Sequence, residues 1–245
     1  MSEAVLILGA TSAIARATAA AFAAKGKPIY LAARDLDELR RSAADLHLRY
    51  GVEVRYGLFD AEQTETHAAF LQSVIDEMQG LRGVVLAFGY LGDQQAARDF
   101  SVGAKVIASN FTGAASILSH CANYFEPLQR GFIIGISSVA GDRGRQSNYV
   151  YGAAKGALSL YLQGLRNRLF ASGVRVITVK PGFVDTAMTY GLPGLFLVAS
   201  PQAIGERIVA ALDKSADVVY LPWFWRYIML IIKHIPEPIF KRLKL

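Results

Sequence analysis

The chain has 245 residues, 53% apolar and 19% charged, a balance that suits one large α/β domain and excludes a disordered polymer. Its formal charge is +6, but Arg226, Lys233, Lys241, Arg242 and Lys244 stand against Glu237 after Trp223, so the excess is mostly a C-terminal feature. Those cations are few and interrupted by apolar residues, which argues against nucleic acid as a partner. A single cysteine, Cys121, excludes an intrachain disulfide and points to a reducing, cytoplasmic setting; it reads best as a small buried hydrophobe.

Short apolar runs fall at 4–8, 28–32, 52–56, 83–88, 131–137, 174–179 and 217–221. Helical patterns lie between them, near 12–25, 35–49, 62–79, 98–119, 149–171 and 201–213. Apolar strands without polar alternation, separated by helices, predict a parallel sheet covered on both faces. Right-handed crossovers then make the fold α/β and doubly wound. No repeat or linker precedes Pro222, so 1–222 reads as one domain and 223–245 as a helical extension. The first apolar run is too short for a signal peptide, and no stretch reaches the roughly 20 residues of a spanning helix.

The first run ends at Gly9 and passes through Ala10-Thr11-Ser12-Ala13-Ile14-Ala15 into an alanine-rich helix. Such a turn aims backbone N–H groups and a helix dipole at a pyrophosphate, with Gly9, Thr11, Ser12 and Ile14 as candidate contacts. Only Gly9 is a glycine, so an ordinary strand–helix turn reads equally well. The second run ends in Ala32-Ala33-Arg34-Asp35. An acid that would hold a ribose 2′-OH is missing, and Arg34 suits a 2′-phosphate, which favours NADP(H) over NAD(H). The alternative is that Arg34 caps a surface turn. Asp60 can hydrogen-bond an adenine amino group or cap the helix expected from 62.

The strongest signal is Tyr151-Gly-Ala-Ala-Lys155. A spacing of four puts both side chains on one helix face. A phenol with a pKa near 10 exchanges protons poorly at neutral pH, and an adjacent cation favours its ionised form. Thirteen residues earlier, Ser138 ends an apolar strand, where a hydroxyl can hold a substrate carbonyl; Ser137 reads as turned toward the core. Asn110 falls mid-helix at a cost in propensity, which suggests a role such as holding a water, although an exposed helix position is the bland alternative. His47, His67, His120 and His234 show no ligand spacing, so no metal is expected.

The ordered set Gly9, Asp60, Gly89, Asn110, Ser138, Tyr151, Lys155 and Pro181-Gly182 resembles the short-chain dehydrogenase/reductase family over residues 4 to about 221. The resemblance implies a seven-stranded Rossmann sheet and an Asn–Ser–Tyr–Lys tetrad. It also implies a backbone contact to the carboxamide near Val184, Thr186 near the cofactor phosphates, and a homodimer or homotetramer through the helices near 98–119 and 149–171. Two departures stand out. Ala13 and Ala15 replace the second and third glycines of the phosphate turn, and Leu86-Ala87-Phe88-Gly89 stands where the family has Asn-Asn-Ala-Gly. The stretches Ala87–Asp93, Ser137–Arg145 and Trp225-Arg226-Tyr227 with His234-Ile235-Pro236 and Ile239-Phe240 are similar to one subgroup, the decaprenylphosphoryl-2-keto-β-D-erythro-pentose reductases.

Residues 183–199 lie where the family carries its substrate loop, and Tyr190–Val198 is apolar for a loop. That suits a greasy substrate or a lid, and equally a partner subunit. The tail from Trp223 to Lys233 is apolar almost all round, too short to span, and flanked by aromatic and basic residues. It fits a helix lying on the inner face of a membrane, with an oligomer interface as the competing account. The expected activity is therefore hydride transfer to a keto group on an apolar or lipid-linked substrate, with Tyr151 as proton donor. The alternatives are a 3-oxoacyl or steroid-like ketone reductase, or a Rossmann-fold sensor without turnover.

Overall fold

The computed structural model describes residues 3–93, 95–191 and 196–243. Seven parallel strands form one sheet: β1 (Val5–Leu8), β2 (Ile29–Ala33), β3 (Val54–Leu58), β4 (Gly83–Leu86), β5 (Phe132–Ile136), β6 (Arg175–Pro181) and β7 (Val218–Leu221). Their order is β3-β2-β1-β4-β5-β6-β7. The order reverses between β1 and β4, and in such sheets the crevice at that switch is where ligands bind.

Successive strand residues point to opposite faces. Val5 and Ile7 join a core with α1 (Ala13–Ala23), α2 (Leu36–Tyr50) and α7 (Pro201–Ala210). Ala4, Leu6 and Leu8 join a second core with α3 (His67–Glu77), α5 (Gly113–Leu128) and α6 (Tyr149–Leu169). Both faces need apolar residues, which is why the strand runs lack alternation. Edge strand β3 is the exception: none of its residues is fully buried, and it starts two residues later than its apolar run. Cys121 is buried in the second core, where burial pushes its thiol pKa up to about 12.

The helix expected at 98–119 is not continuous. It comprises α4 (Phe100–Ile107), a π turn at Ala108–Thr112, and then α5. The helix expected from 62 begins in earnest only at His67. Ala-rich α1 permits α7 to lie close against it, and at Gly205 a Cβ would sit 2.5 Å from the Ala17 carbonyl carbon.

The tail carries apolar residues on two faces, one packed on the body of the protein and one turned outward. α8 (Trp225–His234) buries Trp225 and Met229 against Val139, with Phe183, Tyr220 and Ile232 packed alongside. α9 (Glu237–Phe240) buries Phe240. Arg143 ties the two together: it donates to Lys233 O at 2.8 Å, pairs with Glu237 at 2.8 Å, and stacks 4.0 Å from the Phe240 ring centroid. Trp223, Tyr227, Leu230, Ile231 and Ile239 face outward. Among the described residues no helix is long and apolar enough to cross a membrane.

Gly205→Val is expected to destabilise the protein by about 2 kcal/mol, because its side chain meets backbone rather than a movable side chain. Urea unfolding should show a lower midpoint at unchanged slope. A midpoint equal to wild type would mean that α1 and α7 separate freely.

Candidate active site

The sequence-predicted positions gather at the carboxyl ends of the strands: Gly9 follows β1, Arg34 follows β2, Asp60 lies just past β3, Gly89 follows β4, Ser138 follows β5, and Pro181-Gly182 closes β6. This is one edge of the sheet, above the switch point.

At β1 the chain turns on Gly9, whose φ is +81°. A Cβ there would stand 2.6 Å from the Phe88 nitrogen, so only glycine lets the two loops touch. Ser12 caps α1, accepting from Ala15 N at 3.2 Å, and donates to Ala87 O at 3.4 Å. Ala15 is fully buried in the sheet–helix core, so its methyl fills space there. Thr11 O accepts from Arg16 Nε at 3.2 Å, while Ile14 packs against the core and its carbonyl accepts from Thr18. In place of the family's bracing asparagines, Phe88 packs against Phe59, 5.7 Å between centroids.

Asp35, not Arg34, caps α2, accepting from Glu38 N at 2.9 Å. Arg34 is exposed and makes no ion pair among the described residues. Asp60 accepts from Glu62 N at 3.0 Å, two residues on; it closes a local turn rather than capping α3, whose N-cap is Thr66.

Tyr151 and Lys155 lie one turn apart near the start of α6, both buried. The Lys155 ammonium donates to Ile136 O at 3.1 Å and stands 5.9 Å from the Tyr151 ring centroid. Gly89 makes the neighbourhood possible: a Cβ there would lie 2.9 Å from Asn110 Oδ1 and 3.1 Å from Lys155 Nζ. Asn110 is fully buried in the π turn, correcting the exposed alternative. Its amide donates to Tyr90 O at 2.6 Å and Val106 O at 2.8 Å, and its carbonyl accepts from Tyr90 N at 3.2 Å. Such π turns recur at functional sites. Ser138 is half-buried, accepts from Ala140 N at 3.1 Å, and also hydrogen-bonds Tyr151. Ser137 turns inward onto Lys155 O at 2.9 Å and Ser159.

Burial governs the titration of this pair. It pushes the Tyr151 phenol up to about 12, a bias of about 3 kcal/mol against phenolate, and the Ser138 hydrogen bond opposes it only in part. It also pulls Lys155 down from 10.5 to about 8. Burial is the dominant influence on Tyr151, and the phenol keeps its proton at neutral pH.

On the substrate side, Val184 bridges Ala199, and Thr189 Oγ1 donates to Val184 O at 2.5 Å, clamping the base of the loop. Thr186 donates its N–H to Thr189 Oγ1 at 3.2 Å. Residues 192–195, part of the apolar stretch predicted as substrate loop, lie outside the described residues. Phe196 and Phe183 pack on Trp225, each 5.5 Å away between centroids. Trp225 is a wall residue that sequence reasoning left on a membrane; its only local signal was a glycine, Gly182, whose Cβ would collide with the indole. A separate groove of about 880 Å³ lies between α1, α2 and α7, lined by Ala13, Ala17, Ala20 and Arg41, but no tetrad residue borders it.

The family model described as short chain dehydrogenase matches residues 3–193. An uncharacterised oxidoreductase of Mycobacterium tuberculosis is 34% identical over 240 residues, covering 98% of this chain and 96% of that protein. One from Streptomyces coelicolor is 35% identical over 244 residues, covering 97% and 94%. Among solved structures, NAD⁺-bound xylitol dehydrogenase aligns with a TM-score of 0.80 at 20% identity, covering 89% of this chain and 97% of its own. A variant actinorhodin polyketide ketoreductase with NADPH aligns at 0.82 and 20%, covering 91% and 97%. With its sheet order, its carboxyl-edge site and a family match over most of its length, the chain belongs to the short-chain dehydrogenase family, as an oxidoreductase of alcohol and keto groups.

Proposed function

We propose that the protein is an NADP(H)-dependent reductase of a ketone carried on an apolar or lipid-linked molecule, with a keto sugar as the preferred form. The observation that carries this reading is the convergence of Asn110, Ser138, Tyr151 and Lys155 around Gly89 at the switch-point crevice. Gly9 lets the β1 and β4 loops meet and Gly89 lets Asn110 and Lys155 close in beneath that junction, while Ser12, Pro181, Gly182, Val184 and Thr186 border the same edge. Bound there, a reduced nicotinamide supplies the hydride. Ser138 donates a hydrogen bond to the ketone oxygen and orients it. Tyr151, protonated at neutral pH, gives its proton to that oxygen as it becomes an alkoxide. Lys155 then stabilises the phenolate left behind, and Asn110 fixes the Tyr90 backbone that borders the crevice.

Arg34 supports the cofactor preference: an exposed guanidinium beyond β2, with Ala33 where an acid would hold a ribose hydroxyl. The tail supports the substrate class. Its outer face joins Trp223, Tyr227 and Ile231 to Arg226 and Lys233, a composition suited to an anionic lipid surface.

Tyr151→Phe should leave cofactor affinity within twofold and lower kcat by about 10²–10⁴-fold. In the wild type, kcat/KM should fall above pH about 8 as Lys155 loses its charge. Near-normal turnover by Tyr151→Phe, or a profile flat to pH 10, would remove the pair from the mechanism.

Replacing Arg34 by glutamine should reduce kcat/KM with NADPH by about 10–100-fold, the worth of charge-assisted hydrogen bonds, and leave NADH nearly unchanged. Equal losses with both cofactors would refute the 2′-phosphate contact.

Truncating the tail would strip buried Trp225 and Met229, so the membrane contact is better tested on its outer face. The combined Trp223→Ser, Tyr227→Ser and Ile231→Ser protein should lose more than tenfold in co-sedimentation with phosphatidylglycerol vesicles while keeping its thermal midpoint. No vesicle binding by wild type would reject the lipid surface and leave the oligomer account.

A further inference from the structure

Arg145 lies on the chain between the strand end that carries Ser138 and the helix start that carries Tyr151. Its guanidinium is drawn beneath α8, where Nη2 reaches the Met229 sulfur at 3.4 Å. A thioether is a weak acceptor. Its Nε is buried with no hydrogen-bond partner. The carboxylates nearby in sequence and fold are already engaged: Asp142 with Lys180 and Tyr220, and Glu237 with Arg143. Among the described residues Arg145 forms no ion pair. Burial also disfavours its charged form, opposed only by the field of Asp142, whose carboxylate is already engaged. A half-buried guanidinium without an anion is a costly arrangement, and the cost is offset when an anion arrives.

The surroundings say where that anion would come from. Met229 belongs to one apolar cluster with Val139, which adjoins Ser138, and with Phe183, which follows Gly182. Trp225, 2% exposed, sits in the same cluster, and its indole N–H is likewise buried and unpartnered against Gly182. Two buried N–H donors that lack acceptors, Arg145 Nε and Trp225 Nε1, therefore border the cluster that adjoins Ser138. That is the complement of an oxygen-rich, negatively charged group, and the planar fork of arginine fits two such oxygens at once.

We propose that Arg145, unpaired between Ser138 and Tyr151 beneath Met229, binds an anionic group, phosphoryl or carboxylate, on the ketone substrate. This specifies the substrate class of the reductase site and rests on that reading.

The test uses three cyclohexanones that differ only at C4: a neutral hydroxymethyl group, its phosphate monoester, or a carboxylate. Wild type should reduce at least one charged ketone with kcat/KM tenfold or more above the neutral one, and the better of the two identifies the anion. Arg145→Met should lose that tenfold on the charged ketone and stay within twofold on the neutral one; Arg145→Lys, which keeps charge without the fork, should fall between and serves if the methionine variant folds poorly. A charged-to-neutral ratio unchanged by both substitutions would overturn the proposal. Calorimetric titration with the two matching alcohols, one bearing the phosphate and one the carboxylate, separates the two readings. Binding that Arg145→Met or Arg145→Lys weakens tenfold supports the anion site even without turnover of any ketone, whereas equal binding by all three proteins refutes it.

Discussion

A buried ammonium is the constraint around which the crevice is arranged. Lys155 sits inside the protein, and among the described residues its ammonium has a single backbone carbonyl, Ile136 O, as hydrogen-bond partner and no carboxylate within ion-pair distance. To tolerate it, the molecule brings polar groups without charge: the Asn110 amide across Gly89 and the Tyr151 ring one turn away. A carboxylate would satisfy the ammonium better, but it would also neutralise the positive field that a departing proton leaves useful. The same burial that lowers Lys155 raises Tyr151, so both groups hold the forms suited to proton donation: an intact phenol beside a cation that is charged at neutral pH.

Backbone geometry serves that cluster. The π turn rotates Asn110 out of ordinary helical register and under the loop after β4. Gly89 keeps the floor open, and Gly9 brings the β1 and β4 loops into contact. The usual asparagine bracing between strands is missing, and the Phe59–Phe70–Phe88 aromatic packing stands in its place, exchanging polar connections for buried area.

Much of this was legible before any coordinates. The spacing of Tyr151 and Lys155 fixes one helix face, and the placement of Ser138 after an apolar run fixes it at a strand end, because both follow from local periodicity. Arg34 and Asp60 were also found at strand ends, though the capping roles went to Asp35 and to a local turn. What stayed hidden depends on distant partners. The phenol's upward shift is a property of tertiary burial, and a π turn leaves no mark in apolar spacing. Which face of the apolar tail packs inward stayed hidden, because Val139 and Phe183, which cover Trp225 and Met229, come from loops far away in sequence.

The solitary thiol has a practical corollary. Cys121 is sealed within the core, and its high pKa keeps it in the unreactive protonated form. Thiol-directed reagents therefore have no accessible native thiol to modify. A cysteine introduced on the outer side of α8 would be the sole accessible thiol, so a maleimide fluorophore or a thiol-directed spin label could report on that helix free of background.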